Sequence, residues 1–350
     1  MRETLKAPLR NGEPFQLAAL VKNMRTPITT YLSLAVLLVL LVALPTLADL
    51  ANYPAFTSVA TRVLIYGIAA ASLNFVLGFG GMVSFGHAAF FGIGGYVVGI
   101  LYQHYSLGEP LFGVFPGSNQ LLVTVPLAVL VSGAMAALIG ALSLRTGGVQ
   151  FIMITLAFAQ MLFFLFVSLK TYGGDDGLII RRANELGGLN LRDRPTMYYL
   201  CLTIAVSFLF LLWRIVNSRF GNVLIGLRQS ERRMAALGLS AYRYKLAAFV
   251  ISGMGCGLAG ALMANFMRYV SPDMMHWTKS GELMVMVILG GVGTLFGPFI
   301  GAGAFIMLES LLAAWTENWQ LGLGFILLLL VLYTNGGLQA LFSRLFRRDA

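Results

Sequence analysis

Long blocks of apolar residues, parted by short polar or glycine-rich breaks, account for most of this chain. Ten blocks stand out, at residues 28–47, 63–77, 83–101, 121–144, 149–169, 197–216, 246–267, 283–295, 298–314 and 321–334. A helix rises about 1.5 Å per residue, so roughly 20 apolar residues cross the ~30 Å hydrocarbon core of a bilayer. Most blocks approach or reach that length. Block 28–47 holds twenty uncharged residues, too many for a signal-peptide core of about 7–15, and it reads as an uncleaved first span. Block 283–295 is too short to cross alone and reads as a half-helix shielded from lipid by protein. Ten crossings place both ends of the chain on one side.

Composition agrees with the pattern. Of 350 residues, 58% are hydrophobic and only 11% charged, against about 25% charged in ordinary soluble domains. The expected fold is therefore an all-α polytopic membrane protein of about ten transmembrane helices, some broken or short where glycine is dense. The net charge of +10 points to cytoplasmic loops and the anionic lipid bilayer, not to nucleic acid. With the ends placed inside, sixteen of the 24 Lys and Arg fall on the cytoplasmic side and ten of the 14 acids fall outside or within the membrane, as the positive-inside tendency requires. This gives a cytoplasmic N-terminal segment (1–27), a membrane domain (28–338) and a cytoplasmic basic tail (339–350). Cys201 and Cys256 lie inside apolar runs, with no metal-ligand spacing around them. No G-x-x-x-x-G-K-[ST] loop is present, so ATP is not bound by that route and no cofactor is implied.

Three interruptions carry the candidate chemistry. Residues 77–96 and 289–303 are glycine-rich, and glycine both breaks helices and lets backbones approach closely. The first patch contains Gly81, Ser84, Gly86 and His87; the second contains Gly291, Gly293, Gly297 and Pro298. Broken hydrophobic segments in two parts of a transporter point to a path or gate. The third interruption, 214–245, sets seven Lys and Arg against the single acid Glu231, and Val223, Leu224, Leu227, Met234 and Leu237 recur at roughly helical spacing. A basic, amphipathic segment at the membrane surface suits a cytoplasmic protein partner. Arg228 and Glu231, three apart, are expected on one helical face beside Leu227 and Met234.

The segment S-R-F-G-N-V-L-I-G-L-R-Q-S-E-R-R-M-A-A-L-G-L resembles the coupling loop of permease subunits in ABC importers for branched-chain amino acids, and within them the LivM-like subunit. G-x-x-G-x-x-S-x-G-H-A-A-F-F-G-I-G from Gly78 and G-G-x-G-[ST]-x-x-G-P from Gly290 resemble further signatures of that family. The resemblance implies that Phe220, Gly221, Leu227, Arg228, Glu231, Met234, Ala235 and Gly238 form the ATPase-coupling element within 218–238. Arg232 and Arg233 stand where the family usually carries a second acid. The resemblance also implies the partners: a second, LivH-like permease, two ABC ATPases that bind the ATP, and a periplasmic or extracellular substrate-binding protein. The location would be the bacterial plasma (inner) membrane. The external loop 170–196 opens with Gly173, Gly174, Asp175, Asp176 and Gly177, a pattern similar to the LivM-like subunit and a candidate docking site for the binding protein or a lining of the outer gate.

Ionisable residues inside a membrane need a reason. Glu309, about 16 Å along its block from Pro298, is either a polar contact in the path or a packing residue near the outer face. His87 is either a cap for backbone groups at a bend or part of a gate. A permease of the same type for urea, short amides or another small solute fits the same residues. An ion-coupled secondary transporter would ordinarily carry several mid-membrane charges, where this pattern offers a lone Glu309. An intramembrane enzyme would need a nucleophile and base inside helices, and no such pair stands out.

Overall fold

The computed structural model describes residues 39–48, 50, 53, 55–110, 116–182, 184–187, 191–315 and 318–333. The segment 1–27, the first half of block 28–47 and the tail 339–350 lie outside the described residues. The chain divides into two units, Met1–Tyr53 and Pro54–Ala350. In the first, helix α1 covers Val39–Ala48, overlapping the second half of the block expected to be the first span.

The second unit is built almost wholly of helices: α2 (Ala55–Asn74), α3 (His87–Leu107), α4 (Leu121–Ser143), α5 (Val149–Ser168), α6 (Arg194–Val216), α7 (Arg219–Gln229), α8 (Glu231–Ala236), α9 (Ala241–Met267), α10 (Trp277–Gly290), α11 (Gly297–Ala313) and α12 (Trp319–Tyr333). A π-helical turn, Phe75–Phe79, prolongs α2. Each block in this unit falls on one helix. Ala55–Phe79, α4, α5, α6 and α9 are long and apolar enough to cross a membrane. The bounds shift where polar residues still face protein: α2 begins eight residues before its block, and α3 runs on to Leu107.

α2 and α9 form the centre of the unit, and α3 lies against α9. Residues 64–76, in α2 and the start of its π-helical turn, are buried without a break, as a helix apolar all round should be. α9 approaches α3 through small residues: a side chain at Gly94 would strike the backbone of Gly257, and one at Gly260 the backbone of Phe91. The peripheral helices α4, α5 and α6 turn large apolar side chains outward, among them Leu130, Met153, Phe164 and Phe210. With hydrocarbon as the solvent such a surface is ordinary.

One small antiparallel ladder ties two loops together: β1 (Leu178–Ile179) pairs with β2 (Tyr269–Val270), in register Leu178 to Val270. The ends of α5 and α9 therefore lie at the same end of the bundle. The block 283–295 proves to be α10, which starts earlier, at Trp277, and stops at Gly290. Its 14 residues make about 21 Å of helix, short of a full crossing. Gly291 ends it with φ 120°, a conformation open to glycine alone.

Candidate functional site

The two glycine-rich patches meet. Asn74, the last residue of α2, donates from Nδ2 to the carbonyl of Thr294 (2.7 Å) and accepts at Oδ1 from the amide of Gly293 (2.9 Å). Gly78 lies so close to Gly293 that an added Cβ would sit 2.5 Å from its amide nitrogen. The π-helical turn releases the ordinary carbonyl pairing at this point. Into the junction comes Arg228 from α7, donating to the carbonyl oxygen of Gly78. Its aliphatic stem covers Gly81, where a Cβ would stand 2.7 Å from Arg228 Cγ and where φ is +68°.

From Gly81 the chain leaves helix and passes into the bundle. Three other helices hold this strip. The Phe85 amide donates to Thr155 Oγ1 of α5 (3.3 Å), while Ser280 Oγ of α10 donates to the Phe85 carbonyl (2.6 Å) and accepts from the Ala88 amide (2.9 Å). Ser84 is buried, and its Oγ accepts from the Gly86 amide (3.2 Å). His87 opens α3 and is fully buried beside the middle of α9, its ring edge-on to Phe90 and Phe249 at 5.7 Å each. Its Nε2 lies 2.8 Å from Ser252 Oγ, and Nδ1 lies 3.2 Å from Ser84 Oγ. The Ser252 hydroxyl donates onward to the Ser72 carbonyl, so it must accept from His87, which puts the imidazole proton on Nε2. Both ring nitrogens are thus committed within the chain. The first patch is no simple surface turn: it is a re-entrant strip ending deep in the bundle.

The second patch is a tight hairpin between α10 and α11. Gly290 faces the backbone of Gly297, and Gly301 faces that of Met286. Gly297 and Pro298 are buried at the start of α11, and Gly293 holds φ +80°.

Sequence reasoning put Arg228 and Glu231 on one helix; the structure separates them. α7 ends at Gln229, and Ser230, in extended backbone, caps α8 by accepting from the Arg233 amide. Serine competes for backbone groups in just this way, which favours caps over helix interiors. Arg228 therefore turns inward to Gly78, while Glu231 pairs with Lys245. Leu227 is not a free anchor either: Gly221, Leu224 and Leu227 form the buried stripe of α7, with Leu227 only 2% exposed. Phe220 rests on Tyr244 (ring centroids 5.6 Å apart), and Met234 packs over Gly226. The outward apolar residues include Ala235 and Leu237, on α8 and just after it, and Gly238 ends the segment with φ +79°.

Glu309 is not alone. Arg62 of α2, outside its predicted block, donates from Nη2 to both carboxylate oxygens (2.8 and 2.9 Å) and lies 5.6 Å from the Tyr66 ring centroid. On α10, Lys279 and Glu282 pair at 2.8 Å. Glu309 is therefore not a lone charge, and each of these two pairs joins opposite charges. Sequence reasoning missed Arg62, Asn74, Ser252 and Ser280. A polar residue inside an apolar run was the available signal, and it names no partner.

The loop expected to be external, 170–196, is folded onto β2. Gly173 and Gly177 hold positive φ where side chains would strike backbone, Gly174 is buried, and the Tyr269 hydroxyl donates to the Asp176 carbonyl (2.8 Å). The side chains of Asp175 and Asp176 are left exposed.

Residues 55–332 match the family described as the permease component of branched-chain amino acid transport systems. The chain belongs to this family. It is similar to the high-affinity branched-chain amino acid transport system permease protein LivM of Salmonella typhimurium, 30% identical over 88% of this chain and 74% of that one. The corresponding LivM of Escherichia coli K12 is 29% identical over the same shares. A shorter likeness, 29% over 41% of this chain and 44% of the relative, reaches the autoinducer 2 import system permease protein LsrC of an Enterobacter. No solved structure matches. As a member of this family the chain is a multi-pass membrane protein and a permease subunit of an ABC importer.

Proposed function

We propose that this permease carries branched-chain or other hydrophobic amino acids inward across a bacterial plasma membrane, along a path shared with a second, LivH-like permease. Two separate ATPases bind and hydrolyse the ATP, and a periplasmic or extracellular binding protein delivers the substrate. Ten crossings with both termini cytoplasmic complete the arrangement. The observation that carries the reading is Arg228. It ties the α7–α8 segment to the point where both glycine-rich bends meet, so that a push on the segment from the cytoplasm reaches both bends at once.

In this reading the inward stripe of α7 anchors the segment, and the outward face around Ala235 and Leu237 meets the ATPase. The experiment is co-purification of the ATPases, with their stimulated hydrolysis, for Ala235→Asp/Leu237→Asp in an intact transporter. Loss of the ATPases with the permease pair still assembled supports the reading. Full retention of both assembly and stimulation would reduce the segment to an orienting loop.

A second reading, import of another small solute such as urea or a short amide, gains support from the partial likeness to a permease of an autoinducer 2 import system. Uptake measured with a panel of binding proteins separates the two.

A further inference from the structure

A cleft of about 260 Å³ opens between the first turns of α2 and α6 and the last turn of α9. Three arginines line it, Arg192, Arg194 and Arg268, and among the described residues no aspartate or glutamate does. Ser58, Met197 and Phe266 add a hydroxyl and an apolar wall. Arg194 stands in the first turn of α6, where unpaired backbone amides add positive potential. Arg268 caps α9 with φ +54°, the one non-glycine residue with positive φ among the described residues. L side chains seldom adopt that conformation, and such strain gathers at binding and switch sites. Here it is held from both sides: the Arg268 amide donates to the Ala264 carbonyl (2.8 Å), and its own carbonyl accepts from the Ile180 amide (2.9 Å).

We infer that this cleft binds the phosphate of an anionic phospholipid headgroup. Arginine presents a fork of donors that matches phosphate oxygens, and it is the more weakly hydrated of the two long cations. The cleft sits where membrane helices end, the level at which headgroups lie. Its volume falls below the about 300–1,000 Å³ of sites that enclose a drug-sized molecule, which suits a headgroup with its acyl chains left outside along the apolar wall. A transported amino acid fits less well: its carboxylate would find arginine, but no acid among the described residues lines the cleft to receive its ammonium group. The site lies apart from the bends and from α7–α8 and does not depend on the proposed substrate.

The test is native mass spectrometry and thermal shift on the purified transporter in neutral detergent. Short-chain phosphatidylglycerol, phosphatidylcholine and inorganic phosphate are titrated in turn. Wild type is expected to bind phosphatidylglycerol at least tenfold more tightly than phosphatidylcholine, and Arg194→Gln/Arg268→Gln to lose that preference. Arg181→Gln/Arg182→Gln, which removes two charges from the neighbouring loop but none from the cleft, should keep it. Arg194→Gln alone, should the double variant fail to assemble, is expected to weaken phosphatidylglycerol at least threefold. An unchanged preference in these cleft variants overturns the inference. So does equal protection by inorganic phosphate, which would make the ligand a free anion. Loss of binding-protein association with lipid preference intact would assign the cleft to docking and overturn it as well.

Discussion

Arg228 donates to the carbonyl oxygen of Gly78 across 150 positions of sequence. The contact joins the basic segment between α6 and α9 to the end of the central helix α2. The acceptor is a carbonyl at a π-helical turn, where helical pairing is already relaxed. A charge-assisted hydrogen bond of this kind contributes about 1.5–3 kcal/mol, enough to move the bend and the segment together.

Arg228→Ala should therefore uncouple without dismantling. Transport is expected to fall at least tenfold while the ATPases still co-purify, because the buried stripe of Leu224 and Leu227 remains in place. Arg228→Lys, which keeps the charge but loses the fork of donors, should recover only part of the activity. Uptake into proteoliposomes, read beside co-purification, checks both.

Gly81 and Arg228 should be coupled in a double-mutant cycle. Any side chain at Gly81 meets a left-handed φ costing about 1–2 kcal/mol, and its Cβ already stands 2.7 Å from the Arg228 stem; the two γ-carbons of valine add to both. Gly81→Val is thus expected to be severe. Its stability penalty should shrink in the Arg228→Ala background, since the clashing stem is gone. Strict additivity of the two melting-temperature changes would mean the residues do not touch.

Gly86 and Gly297, one from each glycine-rich patch, should differ in tolerance. A Cβ at Gly297 stands 2.9 Å from two backbone carbonyls, those of Gly290 and Gly291, which cannot swing aside. At Gly86 the nearest atom, the Thr155 carbonyl oxygen, is 3.3 Å away and φ is −83°. Gly297→Ala is expected to lower the yield of folded protein sharply, and Gly86→Ala to leave it within twofold of wild type, measured by fluorescence-detected gel filtration.

Breaking the Arg62–Glu309 pair should cost stability, and reversing it should not. Both side chains are 20–30% exposed, so the roughly 3–5 kcal/mol lost when one partner of a buried pair is removed falls to about 2–3 here. Arg62→Ala and Glu309→Ala are each expected to lower the melting temperature by several degrees. Arg62→Glu/Glu309→Arg should recover most of it. Failure of the swap to outperform both single charge reversals would show that the two sites do not interact.

What the chain determined alone is what depends on neighbours in sequence. The apolar blocks became helices because any span must satisfy its own backbone groups in lipid, and helical pairing reaches only four residues away. The dense glycines marked where helices stop, since the positive φ of Gly81, Gly291 and Gly293 is a local preference. Serine 230, written between two helical stretches, carried a cap in plain view, and only the periodic apolar pattern around it hid the break. Partnership was not legible in this way. Asn74 with Thr294, Arg62 with Glu309 and Arg228 with Gly78 are separated by 220, 247 and 150 positions. In each case the polar residue announces a need for a partner, because an unpaired polar group in an apolar interior is costly. Which partner answers is decided by helix packing, where glycine lets α3 and α9, or α10 and α11, approach to backbone contact and sets the register that brings those groups within reach.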